Sequence, residues 1–370
     1  MCGIGGVLRL QGVRPDELER MGALMKHRGP DDEGYCLVES DGRFRCFSGD
    51  DTVEPRSELD HITQTVSNCS LGMVHRRLSI LDTGPAGHQP MVLQGRYVLI
   101  YNGEIYNYRE LRSDLTSENC SFHSLSDSEV LLNAFAKWGQ GALHRFIGMW
   151  AFAIYDKQEH KLTLCRDRFG IKPLYFVSRK GFFAFASEIK PLLQLDECSK
   201  NARIEACIEY IAFGSNANPD MTLFRDVSEV PPAAFMQIDC KTGKFTTHAY
   251  YNLSDMIKNQ EGVNTLPFAR QLHESVCLHL RSDVPLGSCL SGGLDSSAIV
   301  YSASQEIEAL NTFTASYPGD EVDEARFASA VATHCGNVKG HCTYPAPADY
   351  WQEVGEMLRH QEQPVNSTSP

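Results

Sequence analysis

Short apolar runs separated by polar turns dominate the first two hundred residues of the chain. Runs of this length with hairpin-sized connections are typical of antiparallel strands. The clearest of them lie at 71–81, 97–101, 149–155, 161–165, 174–177 and 182–186. Helical periodicity interrupts them over 14–25 and again over 126–138, where a capping sequence, Ser-Asp-Ser-Glu, precedes the apolar face. The pattern predicts an α+β domain over residues 2–200.

The pattern changes in the second part of the chain. Residues 201–260 mix a short helix near 208–213 with a strand pair near Phe235 and Phe245, and we interpret them as a connecting segment. Beyond them, strands and helices alternate, which is typical of a parallel α/β sheet. The chain is therefore predicted to contain two domains of different classes, the second covering 261–370.

Composition narrows the class of protein. With 370 residues, 42% hydrophobic and 22% charged, the chain is long enough for two globular domains. Its net charge of -13 argues against binding to nucleic acid or to an anionic membrane, because both need clustered Lys and Arg. The 13 cysteines show no CxxC pair or metal-ligand spacing, so we expect reduced thiols. With no leader pattern and no apolar run near the ~18 residues of a membrane span, we expect a cytoplasmic protein.

The first seven residues, Met-Cys-Gly-Ile-Gly-Gly-Val, carry the first candidate chemistry. Removal of Met1, which the small side chain of Cys2 permits, leaves a thiol and a free α-amine on one residue. With pKa values near ~8.5 and ~7.7 to 8.0, the amine can accept the thiol proton without a separate histidine. The three glycines suit a strand that substrate approaches closely. The alternative is an ordinary unreactive cysteine.

The second segment with candidate chemistry is 291–297, Ser-Gly-Gly-Leu-Asp-Ser-Ser. They lie between an apolar strand-like segment and a helix start, where glycine N–H groups, serine hydroxyls and the helix dipole favour an anion. The segment lacks the Gly-Lys-Ser/Thr ending of a Walker loop, so pyrophosphate fits better than a γ-phosphate clamp. Asp295 is placed to reach a phosphate-bound Mg²⁺. A glycine-rich turn that only caps a strand is the structural alternative.

Several ordered segments share a pattern with a known family. They are 1–4 (Met-Cys-Gly-Ile), 27–31 (His-Arg-Gly-Pro-Asp), 77–80 (Arg-Leu-Ser-Ile), 102–104 (Asn-Gly-Glu), 166–175 (Arg-Asp-Arg-Phe-Gly-Ile-Lys-Pro-Leu-Tyr), 187–190 (Ser-Glu-Ile-Lys) and 291–297. In this order they resemble glutamine-hydrolysing asparagine synthetases with an N-terminal cysteine. The resemblance implies a four-layer αββα domain of the N-terminal-nucleophile type, followed by an incomplete parallel-sheet α/β domain with a pyrophosphate (PP) loop.

The resemblance assigns the glutamine site. It implies that Cys2 is the nucleophile, that Arg77 binds the α-carboxylate of glutamine, and that Leu78 and Ile80 line the same site. A guanidinium suits a carboxylate because it can donate two parallel hydrogen bonds. Without the family context, Arg77 is more simply interpreted as a surface ion pair on a strand.

The resemblance also assigns the other side of that site. Asn102 and Gly103 would form the oxyanion hole, although an Asn-Gly pair after an apolar strand is usually a turn. Glu104 and Asp127 would contact the α-amino group of glutamine. The alternatives are a solvated loop charge for Glu104 and, for Asp127, an aspartate in the first turn of a capped helix.

In the second domain the resemblance implies an ATP site. Its expected contacts are Leu290, Ser291, Gly292, Gly293, Leu294, Asp295, Ser296, Ser297 and Ala315. Residues 321–325 resemble the acidic stretch that follows, with a solvated helix start as the alternative. For 166–175 we favour a structural role over direct catalysis. One departure from the family pattern is Ala233, where the family usually has glycine.

The implied reaction joins the two sites. Glutamine is hydrolysed at Cys2 through a thioester, and ammonia moves internally to the second site. There ATP, with Mg²⁺, activates aspartate as β-aspartyl-AMP, and ammonia displaces AMP to give asparagine. The partners are thus glutamine, aspartate and ATP, with a homodimer as a possible assembly and with neither nucleic acid nor a membrane.

Three alternatives stay open. The chain could amidate another carboxylate in polysaccharide or secondary-metabolite synthesis, or it could be a non-catalytic sensor of glutamine or nucleotide. A β-lactam-forming synthetase is a third, which Cys2 disfavours. The family's next motif is missing after residues 361–364, so we expect that 370 residues are part of a longer protein. The polar stretch 41–70 is expected to be a surface insertion or long loop.

Overall fold

The computed structural model describes residues 1–53, 58–64, 69–214, 221–259 and 267–364. The chain divides into two compact units, Met1–Lys258 with Glu362–Pro370, and Asn259–Gln361. Parts of the predicted insertion 41–70, the expected domain boundary at 261 and the final residues 365–370 lie outside the described residues.

The first unit is built on two antiparallel sheets. Its strands are β1 (Gly3–Arg9), β2 (Asp32–Glu39), β3 (Phe44–Phe47), β4 (Cys69–Arg77), β5 (Met91–Leu93), β6 (Tyr97–Ile105), β7 (Gly148–Asp156), β8 (Lys161–Arg166), β9 (Tyr175–Arg179), β10 (Phe182–Ala186), β11 (Ser228–Glu229), β12 (Ala234–Asp239) and β13 (Phe245–Ala249). One sheet has the order β11-β9-β10-β1-β4-β2-β3, and the other has the order β13-β12-β8-β7-β6-β5. The apolar runs predicted as strands are strands, except that the run predicted over 71–81 leaves the strand after Arg77.

The helices between Pro15 and Leu193 lie on the outer faces of the sheets, whereas the two later helices of this unit are mostly exposed. The helices of the unit are α1 (Pro15–Leu24), α2 (Tyr108–Ser117), α3 (Asp127–Trp138), α4 (Ala142–Arg145), α5 (Lys190–Leu193), α6 (Ile204–Phe213) and α7 (Leu253–Asn259). Ile4 and Ile100 belong to the core between the sheets, Met21 of α1 packs with the first sheet, and Leu131 of α3 packs with the second. The four-layer αββα domain expected from the sequence is confirmed.

The strand that begins with Gly3 is central in its sheet. β1 pairs with β10 on one side and β4 on the other, with Gly3 opposite Arg76. At Gly6 a Cβ would come within 2.5 Å of the Phe185 ring and 2.8 Å of the Gly72 carbonyl, so only glycine fits. The close packing fixes the start of β1, and with it the position of Cys2.

Two local predictions need correction or completion. The Asn-Gly pair at 102–103 is not a turn, because β6 continues to Ile105 and pairs Asn102 with Ala151 of β7. The residues expected to form a connecting segment add strands to the first unit: β12 pairs with β8, and β11 with β9. Local sequence could not show either pairing, because the partner strands are distant along the chain.

The second unit contains the predicted parallel sheet. Its elements are α8 (Phe268–His279), β14 (Gly287–Cys289), α9 (Leu294–Ser304), β15 (Leu310–Ala315), α10 (Ala325–Cys335), β16 (Val338–Thr343) and α11 (Pro347–Gln361). The strands are parallel in the order β14-β15-β16. Val276, Val300 and Leu310 are buried together in its core. Among the described residues, no helix has the length and apolar character to span a membrane.

Candidate active site

Cys2 lies at the start of β1, against the residue that follows β4. The N–H of Leu78 points to Cys2 Sγ at 3.4 Å, and the Cys2 thiol donates to the Leu78 carbonyl oxygen at 3.6 Å. Arg28 Nε donates to the Cys2 carbonyl at 3.0 Å. Burial raises the pKa of the Cys2 thiol, partly offset by the Leu78 N–H, the chain's amino terminus and Arg77. The thiol is therefore held in place and needs a base to ionise at neutral pH.

A single pocket collects every residue predicted for the glutamine site. It is lined by Cys2, Arg77, Leu78, Ile80, Asn102, Gly103, Glu104 and Asp127. Residues that sequence reasoning did not assign to it also line the pocket. They are Met1, Leu81, Gln89, Tyr101, Ser126, Ser128 and Lys172.

Arg77 is buried rather than part of a surface ion pair. Its guanidinium donates to the carbonyl oxygens of Gly84 at 2.9 Å and Leu81 at 3.3 Å, and also to the Asp82 carbonyl. Across the described part of the chain, no carboxylate lies within ion-pair distance of Arg77. The arrangement fixes the guanidinium in the pocket while its charge stays available to a ligand carboxylate.

Asp127 faces the pocket from the first turn of α3. Its carboxylate accepts hydrogen bonds from the Tyr101 hydroxyl and the Ile105 N–H, both at 2.9 Å. Burial raises its pKa to about 6. No cation forms an ion pair with it among the residues with a described position, so this buried acid suits a ligand amine.

The capping box predicted at 126–129 forms only in part. The Ser126 hydroxyl accepts from the Ser128 N–H at 3.0 Å, as an N-cap does. The Glu129 carboxylate instead accepts from the His123 N–H at 2.8 Å and the Ser124 N–H at 2.7 Å. The helix start is therefore capped without Asp127, whose carboxylate is free to face the pocket.

Asn102 and Gly103 present donors to the same space. Asn102 is buried, and its Nδ2 has no hydrogen-bond partner among the described residues. At Gly103 a Cβ would come 2.3 Å from the Met149 carbonyl oxygen and 2.8 Å from Trp150 Cα. An unsatisfied buried amide is costly, and a developing oxyanion in the pocket would satisfy it.

Two further charges line the pocket without pairing directly. Burial raises the pKa of Glu104, and the positive charge of Lys172 opposes that rise. Burial lowers the pKa of Lys172, which is only 4% exposed. The sequence signal for Lys172 was its place inside the segment 166–175, to which we gave only a structural role.

The segments 27–31 and 187–190 meet behind Cys2. Glu188 accepts from Arg28 Nη1 at 3.0 Å and lies 2.9 Å from His27 Nε2. Lys190 Nζ lies 2.5 Å from the same carboxylate group. Burial opposes ionisation of Glu188, but hydrogen bonds from Lys190 and Arg28 hold its pKa below the usual value. These contacts fix the arginine that binds the Cys2 carbonyl.

The predicted nucleotide residues surround the junction of β14 and α9. Leu290 follows β14, and its N–H donates to the Phe313 carbonyl at 2.9 Å. Ala315 ends the neighbouring parallel strand, so both lie at the carboxyl edge of the sheet. Gly292 has a φ of +86°, and a Cβ there would come 2.5 Å from Phe327 Cβ. The loop geometry thus requires this glycine.

The serines of the loop shape its interior. The Ser291 hydroxyl accepts from the Gly293 N–H at 3.2 Å and lies 3.0 Å from the Ser296 hydroxyl. The Ser297 hydroxyl is buried without a hydrogen-bond partner in the described part of the chain. A phosphate oxygen would satisfy such a donor, so these residues fit a nucleotide phosphate.

The candidate Mg²⁺ ligand is exposed. Asp295 follows Leu294 in the first turn of α9, and within the described residues it forms no ion pair. One carboxylate is a normal protein contribution to Mg²⁺ that is otherwise held by water and phosphate oxygens. The donor set therefore fits a phosphate-bound ion rather than a protein-enclosed one.

Two family models match this chain. The model described as glutamine amidotransferase domain covers residues 59–251, which is more than half of the chain. The chain belongs to the glutamine amidotransferase family. The model described as asparagine synthase covers residues 268–370 of the chain. The resemblance that the ordered segments indicated is confirmed.

Individual proteins are similar to this chain over most of its length. Glutamine-hydrolysing asparagine synthetase 1 of Bacillus subtilis is 32% identical over 372 residues, covering 99% of this chain and 53% of the relative. Asparagine synthetase 2 of the same organism is 33% identical over 331 residues, covering 85% of this chain and 40% of the relative. Amidase chry2 of Gibberella zeae is 30% identical over 290 residues, covering 77% of this chain and 38% of the relative. The chain spans about half, or less, of the length of these relatives.

Proposed function

We propose that this chain hydrolyses glutamine at Cys2 and that the ammonia serves an ATP-dependent amidation of aspartate. The observation that carries the proposal is the convergence of Cys2, Arg77, Asn102 and Asp127 on one pocket. These residues come from four separate parts of the chain. A merely structural cysteine would not require a buried arginine and a buried aspartate that lack described charge partners.

The pocket charges match the two ends of glutamine. Arg77 receives the α-carboxylate through its guanidinium, and Asp127 receives the α-ammonium, with Glu104 beside it. Leu78 and Ile80 line the same pocket. The amide carbon of the substrate is then directed to the Cys2 sulfur.

The reaction follows from this placement. After Met1 is removed, the α-amine of Cys2 accepts the thiol proton, and the sulfur attacks the amide carbon. Asn102 Nδ2 and the Gly103 N–H donate to the oxyanion that forms. The C–N bond breaks, ammonia leaves with the proton that the α-amine returns, and a thioester remains on Cys2. Water then attacks the thioester, which releases glutamate and the thiol.

The second unit would supply the acceptor chemistry. The loop 291–297 and Ala315 would bind ATP as substrate, with Asp295 near its Mg²⁺. The overall reaction proposed is ATP, aspartate, glutamine and water to AMP, diphosphate, asparagine and glutamate. The support is the asparagine synthase model over 268–370 and the fit of the loop to phosphate.

Covalent trapping tests the first half of the proposal. A glutamine-analogue electrophile should add one equivalent to Cys2, detected by peptide mass spectrometry, and excess glutamine should protect it. Cys120→Ala, at another half-buried cysteine, is the matched control and should be labelled normally. Labelling elsewhere, or none in a chain shown to lack Met1, would overturn the assignment. Formation of the corresponding amide, and of AMP, from aspartate and from a panel of other carboxylic acids then tests the acceptor.

A further inference from the structure

Lys172 is a buried cation without an ion pair. Its side chain lines the pocket of Cys2, and the residue is 4% exposed. Within the described residues, no carboxylate lies within ion-pair distance of its ammonium. Burying an ammonium without a partner is unfavourable. The burial of this lysine therefore does not stabilise the fold, and its presence in the pocket needs another explanation.

The segment before Lys172 is built to hold it in place. The Asp167 carboxylate accepts from the N–H groups of Phe169 and Ile171 at 3.0 Å and of Lys172 at 2.9 Å. Arg166 Nε donates to the Lys172 carbonyl at 2.8 Å. The backbone of Lys172 is thus fixed on both sides. The segment 166–175 has a structural role, and the side chain that it presents to the pocket is Lys172.

The charges of the pocket leave Lys172 without a substrate partner. In the proposed function, Arg77 binds the α-carboxylate of glutamine, and Asp127 and Glu104 bind its α-ammonium group. Lys172 is the remaining positive charge. The groups that it senses electrostatically are Glu104, the Cys2 thiol, Arg28, Asp167 and the amino terminus of the chain.

We propose that Lys172 is a positioning residue whose positive charge holds the α-amine of Cys2 in its neutral, proton-accepting form. The inference rests on the proposed function, because that amine is the base of the reaction. A nearby cation disfavours protonation of an amine, so the base stays available near neutral pH.

The electrostatics of the amino terminus agree with this role. Burial lowers the pKa of the terminal amine of Met1, Arg28 and Lys172 lower it further, and Cys2 and Asp31 oppose them. The α-amine of Cys2 lies one residue further along, in the pocket itself. Arg28 already donates to the Cys2 carbonyl and to Glu188, which leaves Lys172 as the unpaired contributor.

The test compares Lys172→Met with Lys172→Arg. For Lys172→Met, the acidic limb of kcat/KM for glutamine should move up by about one pH unit, with activity at pH 9 within about twofold of the parent. Lys172→Arg keeps the positive charge, so the acidic limb of kcat/KM should return to the pH at which the parent has it. Lys180→Met, at an exposed lysine, is the matched control and should match the parent throughout. A uniform loss at every pH, without a shift, would overturn the proposal in favour of a structural role.

A second readout needs no turnover. The pH dependence of α-amine acylation, followed by mass of the N-terminal peptide of the processed chain, reports the same ionisation. Lys172→Met should shift it upward by the same amount, and an unchanged profile would overturn the proposal. The two proposals can fail separately. If the parent does not hydrolyse glutamine but Lys172→Met still shifts the acylation profile, the proposed function fails. The role of Lys172 in keeping the amine neutral then stands.

Discussion

The backbone of Leu78 contacts the Cys2 thiol with both its donor and its acceptor, at 3.4 Å and 3.6 Å. Cys2 precedes β1 and Leu78 follows β4. Because these two strands pair side by side in the sheet, the two residues come together. In the part of the chain that the structure describes, the thiol's hydrogen-bond partner is this backbone, and a main-chain amide cannot take its proton. Under the proposed function, we therefore expect activation of the thiol by the α-amine of Cys2 and activity only after Met1 has been removed.

Asn102 should act on the transition state rather than on binding. Asn102→Ala removes the unpartnered Nδ2 donor, so we expect kcat for glutamine hydrolysis to fall by about 10²- to 10³-fold with KM nearly unchanged. Steady-state kinetics over a range of glutamine concentrations measures both constants. Asn133→Ala, on the buried face of α3 outside the pocket, is the control for loss of a buried asparagine. A large rise in KM alone would contradict an oxyanion role.

Arg77 should act mainly on binding. Arg77→Lys retains a charge but loses the planar fork, so we expect KM to rise roughly thirtyfold, equivalent to about 2 kcal/mol. The same change removes contacts to the carbonyls of Gly84 and Leu81, so the melting temperature should fall slightly. A change in kcat with KM unaltered would show that the guanidinium does not bind the α-carboxylate.

Asp127 gives the pocket a pH dependence. Its pKa of about 6 lies above that of unfolded aspartate, so the folded state holds the proton more strongly. Its stabilising contribution is thus present below about pH 4 and is lost as the pH rises to about 6. KM for glutamine should rise as the pH falls through about 6, because the protonated acid no longer attracts an ammonium.

Asp127→Asn isolates that effect. The amide keeps an acceptor for the Tyr101 hydroxyl and removes the buried charge, so stability at pH 7 should increase by about 1–3 kcal/mol. Urea unfolding at pH 4.5 and pH 7.5 measures the difference, which should be clearly smaller at the lower pH. Equal or lower stability of the variant at pH 7.5 would show that the carboxylate is not destabilising in the pocket.

Ala233 occupies a backbone conformation that favours glycine. Its φ is +57°, and its N–H and carbonyl are held by Asp167 and Tyr250 at 2.8 Å. Ala233→Gly should therefore stabilise the chain by about 0.5–1 kcal/mol, since relief of strain exceeds the added chain entropy. Gly139→Ala, at a φ of +56°, is the reciprocal control and should destabilise. No gain from Ala233→Gly in urea unfolding would mean that the strain is relieved elsewhere.

Ordered motifs in the sequence were enough to predict residues that share the Cys2 pocket, because the segments 1–4, 77–80, 102–104 and 166–175 each contribute to its lining. Local pattern failed where long-range pairing decides the structure. A turn was the structural alternative for Asn102 and Gly103, yet the pairing of β6 with β7 continues the strand through them. Lys172 was missed for the same reason: nothing local indicates that residue 172 shares a pocket with residue 2. Ala233 was noted as a departure, but its significance needed the positive φ.

The most direct test of the account is glutamate release from glutamine by this chain and by its Cys2→Ala variant. Removal of Met1 is verified by intact mass in both proteins, and far-ultraviolet circular dichroism verifies folding. We predict steady glutamate release by the processed parent and none above background by Cys2→Ala. Equal release by the two proteins, or no release by a folded and processed parent, would contradict Cys2 as the nucleophile of this pocket.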